Sequence, residues 1–422
     1  MQIWTFPKKS VAALSTALMA ASLSVQPVTA VPSDPGVTDS QILIGSCLSQ
    51  TGQLHRRGAE LTKGATAYFE YINAKGGVNG RKIKLKSCDD AYDAEKAEQC
   101  FNENLHGKVF AGAFFLGSVP ALKYARLAPK ENMPLIGFSS GLNELYEFQH
   151  DIFTLRPSYV EEVNVQISEL AKHGAKRFAI LYVLDAYGFS IRSAATAALK
   201  RLGITPVLQA NYERNTSNLD AAFAQIKAQK PDVLILGVAS ALLPQVMQKK
   251  QEQKLNTVYV CPSVAMDVIR NNFDDANDIL VTDAMPNPLE KAPGIILYQS
   301  QLKKIAPAAS FDESSLEGFM VATVIVEGLK RAGRDLSRAK FMSALESVHD
   351  QDFGFGDNFK VSFSSTNHNG IDARVIRFLR VDSSKQQLVP IGTDSVCNRK
   401  TTLRTGQNLR STSNQFASTV VV

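Results

Sequence analysis

Small hydroxyl side chains gathered at the ends of apolar runs are the residues of this 422-residue chain best suited to chemistry, and that chemistry is the grip of an anion. Gly117-Ser118-Val119-Pro120 follows the continuous apolar run 109–116, and Phe138-Ser139-Ser140-Gly141 follows the short run 134–137. In such loops backbone N–H groups, hydroxyls and a helix N-terminus can converge on one negative group. Turn chemistry alone would account for any single serine, but two such loops on neighbouring strands favour binding. Ser49, Gln50 and Thr51 repeat the pattern in a third loop closed by Gly52, where turn and ligand roles are equally open. Tyr159 and Tyr187 each open a helix beside a loop of this kind, so either ring could cover a ligand or pack half-buried. Asp185 can cap its helix as readily as hold an ammonium group. Asp89 and Asp90 read as a loop and capping pair rather than catalytic carboxylates.

Catalysis has no comparable support. The sequence contains no G-x-S-x-G elbow, no phosphate loop and no H-E-x-x-H, and its six histidines are scattered without metal-ligand spacing. No enzyme activity, cofactor or metal is expected. The formal charge of +6 comes without a basic stripe interleaved with aromatics, which excludes nucleic acid as a partner. A composition of 45% hydrophobic and 20% charged residues is that of a folded globular protein long enough for two domains.

The N-terminus reads as an export leader. Lys8 and Lys9 precede an apolar run over 11–25, and Val28-Thr29-Ala30 supplies a small-residue cleavage site after Ala30. The competing reading is a membrane anchor, but the run is shorter than the ~20 residues a span needs and Pro27 follows it. Five cysteines are an odd count for an exported chain, so at most two bridges form within one molecule. Cys88 with Cys100 is one pairing, and buried free thiols are equally compatible.

The elements that must hold these loops alternate strand and helix. Strands are expected near 41–46, 81–87, 109–116, 134–137 and 151–155, with helices over 57–75, from Asp93 to about 105, and up to 129. Pro157 keeps Arg156 extended and Ser158 can cap a helix from Tyr159, which makes 151–159 a stiff link. The grammar then repeats: strands at 177–183, 204–211, 233–236 and 258–260, with helices between them, and the stretch 279–288 reads as a second crossing, marked by Pro286 and Pro288. Helices over 294–305, 313–333 and 337–348 follow, then strands near 360–363, 373–381 and 388–391. Repeated βα units predict open parallel sheets, which bind ligands at the C-terminal ends of their strands. The tail from Val396 is basic, Ser/Thr-rich and without apolar period, and reads as disordered.

Seven stretches in order carry a family resemblance: INAKGGVNGRKIKL (72–85), DDAYD (89–93), KVFAGAFFLGS (108–118), RPSY (156–159), LDAYG (184–188), SLEGF (315–319) and VSFSSTNHNG (361–370). Over residues 39–392 the chain resembles the branched-chain amino acid group of periplasmic binding proteins of ABC transporters. The resemblance implies a type I fold: α/β, with two Rossmann-like lobes joined by three crossover segments. It implies lobe 1 from 37–156 plus 286–362 and lobe 2 from 157–285 plus 363–393, after a signal peptide at 1–30 and before a tail at 394–422. It places the ligand's carboxylate on Ser118, next to Gly117, and on the Ser139-Ser140-Gly141 loop, with Tyr187 covering the ligand.

The chain departs from that pattern at three positions. Leucine-type members have threonine where this chain has Gly141, glutamate where it has Ser263, and an aromatic where it has Ala239. A buried ammonium without the acid at 263 would lack its counter-charge, which is costly. Either Asp185 or Glu317 substitutes for that acid, or the ligand is not a plain α-amino acid. The expected protein is therefore a monomeric periplasmic receptor for a small carboxylate-bearing solute, handing it to an inner-membrane ABC permease. A ligand sensor or regulatory subunit on the same fold is the alternative.

Overall fold

The structure, a computed structural model, describes residues 1–5, 34–214, 216, 218–356 and 358–391. The expected leader and basic tail lie almost wholly outside these residues. Met1–Ser33 separates as its own unit, and a second unit begins at Asp34.

Two sheets organise the second unit. The first is built from β1 (Gln41–Leu48), α1 (His55–Ala74), β2 (Lys82–Asp89), α2 (Ala94–Cys100), β3 (Ala111–Leu116), α3 (Ser118–Leu127), β4 (Leu135–Ser139) and β5 (Ile152–Phe153). Its order is β2-β1-β3-β4-β5, all parallel. The chain then runs through α4 (Tyr159–Lys172), β6 (Phe178–Val183), α5 (Ala186–Arg201), β7 (Leu208–Tyr212), α6 (Asp220–Gln229), β8 (Val233–Gly237), α7 (Leu243–Gln253), β9 (Val258–Cys261), α8 (Met266–Arg270) and β10 (Leu280–Asp283). It returns through α9 (Pro293–Ile305), α10 (Glu313–Ala332), α11 (Arg338–Glu346) and the small pair β11 (Gln351–Asp352) and β12 (Lys360–Val361), and ends in β13 (Arg377–Asp382) and β14 (Gln387–Pro390).

The second sheet has the order β14-β13-β10-β9-β8-β6-β7. Its β6 to β10 strands are parallel, as the alternating pattern requires, but β13 and β14 are antiparallel additions at one edge. The expectation of a wholly parallel sheet therefore fails at that edge. A short turn at 383–386 joins β13 to β14, and a connection of that length permits only a hairpin.

Every residue of β3, β6 and β8 is buried, which explains why these strands read as unbroken apolar runs with helices on both faces. On the first sheet, α1, α9 and α10 contribute to one core and α2 and α3 to another. The α1 and α10 backbones come so close that a methyl group on Gly64 would overlap the Ser315 carbonyl, and one on Gly318 the Leu61 carbonyl. Two smaller differences from the sequence reading have local causes. Strand β7 starts at Leu208 rather than 204 because Pro206 has no N–H to give the ladder. Residues 373–375 form a 3-10 turn capped by the Asp372 carboxylate instead of extending β13.

Three connections join the two sheets. Segment 154–158 leads from β5 to α4, 284–292 from β10 to α9, and 362–376 from β12 to β13. The first and third are bonded to each other: Thr154 N donates to His368 O at 3.0 Å, and Gly370 N donates to Thr154 O at 2.9 Å. Arg377 ties the second to β13 through Asp283 at 2.5 Å and the Met285 carbonyl at 2.7 Å. Ser158 forms the expected cap, as a full capping box with Glu161 at the start of α4.

Candidate functional site

The C-terminal ends of the parallel strands of both sheets face one another across a cavity of about 50 Å³. From the first sheet come Leu116, Gly117 and Ser118 after β3, Ser139 at the end of β4, Tyr92 after β2, and Gln53, Leu54 and Arg57 around the start of α1. From the second come Tyr159, Tyr187, Val264 and the small run Ala239-Ser240-Ala241. Gln53, Leu54, Arg57, Ser240, Ala241 and Val264 also line a wider outer chamber of about 340 Å³, whose acids include Glu60, Asp267, Asp312 and Glu313.

Of the residues singled out from sequence, Gly117, Ser118, Ser139, Tyr159 and Tyr187 share the inner cavity wall. Gln50, Ser140, Gly141, Asp185 and Ser263 are not among its lining residues. Gln50 is exposed, its side chain on Ser87 and its amide on Asp89. Ser140 is fully buried and bonds Ser118, Oγ to Oγ, at 2.9 Å. Gly141 gives its carbonyl to Tyr159 N at 2.8 Å, and a Cβ there would sit 2.7 Å from the Tyr159 ring. The position therefore has no room for the family's threonine, because Tyr159 fills the space. Asp185 caps α5 by accepting from Gly188 N, and accepts a second bond from the Tyr92 hydroxyl at 3.3 Å.

The anion-gripping features are local. Gly117 precedes α3 with φ of +84° and carries no side chain to cap it, so the first amides of the helix have no side-chain partner. Ser118 lies beside them. Two residues not identified from sequence complete the wall. Arg57 sends Nε to Ser139 Oγ at 3.2 Å and Nη1 to the Val264 carbonyl at 3.2 Å, so one guanidinium touches both sheets' loops. Tyr92 packs against Gly117 and reaches Asp185 on the other side. Its place in the DDAYD string gave the only signal, whereas Arg57, in the first turn of an otherwise amphipathic helix, gave none.

Behind this wall lies a buried charge network. Ser139 Oγ donates to Glu317 Oε2 at 2.7 Å, and Glu317 also faces Arg57 at 3.4 Å and Arg156 at 3.6 Å. Arg156, 1% exposed, reaches Glu162 at 3.6 Å and donates to Ser263 Oγ at 2.6 Å. Ser263 in turn gives its hydroxyl and its amide to Glu162, and Thr282 adds a third bond at 2.6 Å. Burial alone would push the Arg156 guanidinium down, but Glu317 and Glu162 hold it up and it stays charged. Burial pushes the Glu162 carboxyl up from its usual range, against the pull of Arg156. Two arginines and two glutamates thus balance one another's charge, and Ser263 serves this network instead of facing the cavity. Burial also raises the phenols of Tyr92 and Tyr187, which therefore stay neutral.

Electrostatically, the cavity offers uncapped amides, hydroxyls, the Gln53 side chain and one guanidinium edge on a wall otherwise apolar. Among the described residues, no carboxylate lines it. Among the same residues, no helix is long and apolar enough to cross a membrane.

Comparison with known proteins gives a consistent result. A family profile described as periplasmic binding protein matches residues 41–386. Over 234 residues the chain is 26% identical to an amino acid binding protein of Pseudomonas aeruginosa, a match covering 52% of this chain and 60% of that protein. Over 363 residues it is 24% identical to Leu/Ile/Val-binding protein homolog 7 of Brucella abortus, covering 81% and 90%. The match thus spans less than two thirds of the first relative and most of the second. A solved structure, a possible leucine/isoleucine/valine-binding protein from Rhodopirellula baltica SH 1, superposes with a TM-score of 0.78 at 20% identity, over 87% of this chain and 99% of that one.

Proposed function

Since the chain belongs to the periplasmic binding protein family, we propose that it is the solute receptor of an ABC importer, and that its solute is a small organic carboxylate with no amino group beside the acid. The family and fold are those of substrate-binding proteins, not of enzymes. In this reading lobe 1 comprises 37–156 with 286–362 and lobe 2 comprises 157–285 with 363–393. The mature monomer works in the periplasm after loss of its leader, and lobe closure presents a changed surface to the inner-membrane permease.

One observation carries the ligand assignment: no carboxylate among the described residues lines the inner cavity, and Glu317, Glu162 and Asp185 behind its wall are already committed. Glu317 is held by Ser139, Arg57 and Arg156, Glu162 by Arg156, Ser263 and Thr282, and Asp185 by Gly188 and Tyr92. An ammonium entering the cavity would be desolvated without a partner, at a cost of several kcal/mol. A carboxylate instead meets the open end of α3, the hydroxyl of Ser118 and the guanidinium of Arg57, while Tyr92, Tyr159, Tyr187, Leu116 and Val264 suit an apolar body.

Matched pairs test this reading. Ligand-free protein is titrated with 4-methylpentanoate against leucine, and 3-phenylpropanoate against phenylalanine, by thermal shift and calorimetry. Stabilisation by an acid and not by its amino counterpart is the expected result. Tighter binding of the amino acids would overturn the assignment.

A further inference from the structure

We propose that Cys47, Cys88 and Cys100 form a thiol–disulfide exchange site in which Cys100 is bridged alternately to Cys47 and to Cys88. The site lies on the first sheet, outside the cavity lining, and the proposal does not rest on the ligand assignment.

Geometry brings the three sulfurs together. Cys47 and Cys88 are register partners on the parallel strands β1 and β2, and their sulfurs lie 3.4 Å apart. Cys100 is the last residue of α2 and stands over both, its Cα 6.3 Å from that of Cys47 and 6.1 Å from that of Cys88. Both separations fall within the usual disulfide range, so Cys100 can be bridged to either partner. One sulfur cannot hold two bridges. Whichever bond exists, a third thiol is left against it, and that is the arrangement thiol–disulfide exchange requires.

The two states differ in what solvent can reach. Cys47 and Cys100 are buried, at 0% and 4% exposure, whereas Cys88 is half-buried. With Cys47–Cys100 bridged, the remaining thiol is the accessible one; with Cys88–Cys100 bridged, it is sealed in the core. The exchange step is balanced within the protein. Cys88 loses its proton to solvent, and its thiolate attacks Cys100 Sγ. The Cys88–Cys100 bond forms as the Cys47–Cys100 bond breaks, and Cys47 leaves as a thiolate and is reprotonated. No electrons are gained or lost overall. The first bridge comes from two-electron oxidation of one thiol pair by a disulfide-bearing oxidant, which departs as a dithiol.

The test is native alkylation with N-ethylmaleimide followed by non-reducing peptide mapping of the oxidised full-length protein. At zero time both bridged peptides are expected. With continued exposure the label should accumulate at Cys88 towards one per molecule while the Cys88–Cys100 peptide disappears, because exchange keeps feeding the accessible thiol. A single bridged pair at all times, a label that stops at the initial fraction, or three reduced thiols would each overturn the proposal. Cys88→Ser should leave only the Cys47–Cys100 bridge with no native label, and Cys47→Ser only the Cys88–Cys100 bridge. A free Cys100 in either variant would count against it.

Discussion

Arg57 and Ser139 are joined by a 3.2 Å hydrogen bond from Nε to Oγ, and that bond ties the first turn of α1 to the end of β4. Ser139 passes the contact on to Glu317 at 2.7 Å, so the hydroxyl sits between a cation and an anion that it helps hold in register. Ser139→Ala should leave the fold intact and let Arg57 turn toward Glu317. The loss is expected on the order of 1 to 2 kcal/mol of ligand affinity, roughly five- to thirtyfold in Kd. Calorimetry with the best carboxylate from the matched panel reads this directly.

Ser118→Ala and Tyr187→Ala probe the two faces of the cavity. Each should weaken binding with little change in the unfolding midpoint of ligand-free protein. The tyrosine variant should lose more, because its ring packs edge-on against Tyr159 at 5.3 Å between centroids and removing it opens the wall. Unchanged affinity in both would place the ligand elsewhere.

Arg156→Met removes the cation between two buried carboxylates. Glu162 and Glu317 would be left facing each other's field without compensation, and breaking a buried pair in this way costs about 3 to 5 kcal/mol. Urea denaturation should show a midpoint shift of that size. Restoring neutrality with Glu162→Gln in the same chain should recover part of it.

Gly141→Thr is the substitution that would restore the pattern of leucine-type relatives. Here it should destabilise the protein by about 1 to 3 kcal/mol and confer no leucine binding, since the new Cβ meets both the ring and the backbone nitrogen of Tyr159 at 2.7 Å. Pairing it with Tyr159→Ala should relieve much of the strain.

Asp312 caps α10 at the edge of the outer chamber, and burial raises its carboxyl from 3.8 to about 6, with Asp267 and Glu60 adding to the effect. The folded chain then holds this proton more tightly than the unfolded one. Its contribution to stability is fully present below the unfolded pKa and is lost as pH rises through the folded value. Asp312→Asn keeps the cap and removes the titration. The stability of the natural protein relative to this variant should fall between about pH 4 and pH 6, the window set by those two values. A difference that is flat or rises over that window would contradict the assignment.

The alternation of elements was legible because fully buried strands such as β3 and β8 are short apolar runs set off by helices of plain period, and because Ser158 and Asp93 are caps with an unmistakable local signature. The antiparallel edge formed by β13 and β14 was not, since strand direction depends on partners distant in sequence. At the site, loop chemistry at strand ends singled out Ser118 and Ser139, which share the cavity wall, but the same chemistry covers Ser140, whose hydroxyl is turned inward to Ser118. Ser263 shows the limit most clearly. Its small polar side chain where relatives have an acid says that something changed, while the buried arginine it serves, Arg156, lies far away in the sequence and reads there as one residue of a linker.

The close seat of α10 on α1 also sets the order in which this protein can mature. Helix α1 leaves the ribosome early, but the surface against which Gly64 fits is not synthesised until Ser315 and Gly318 appear. Until then the first hydrophobic core lacks a wall, and the nascent polypeptide has no finished half to collapse into. The late helix α10 is thus the keystone of that core, and the earlier elements stay slack until it is made.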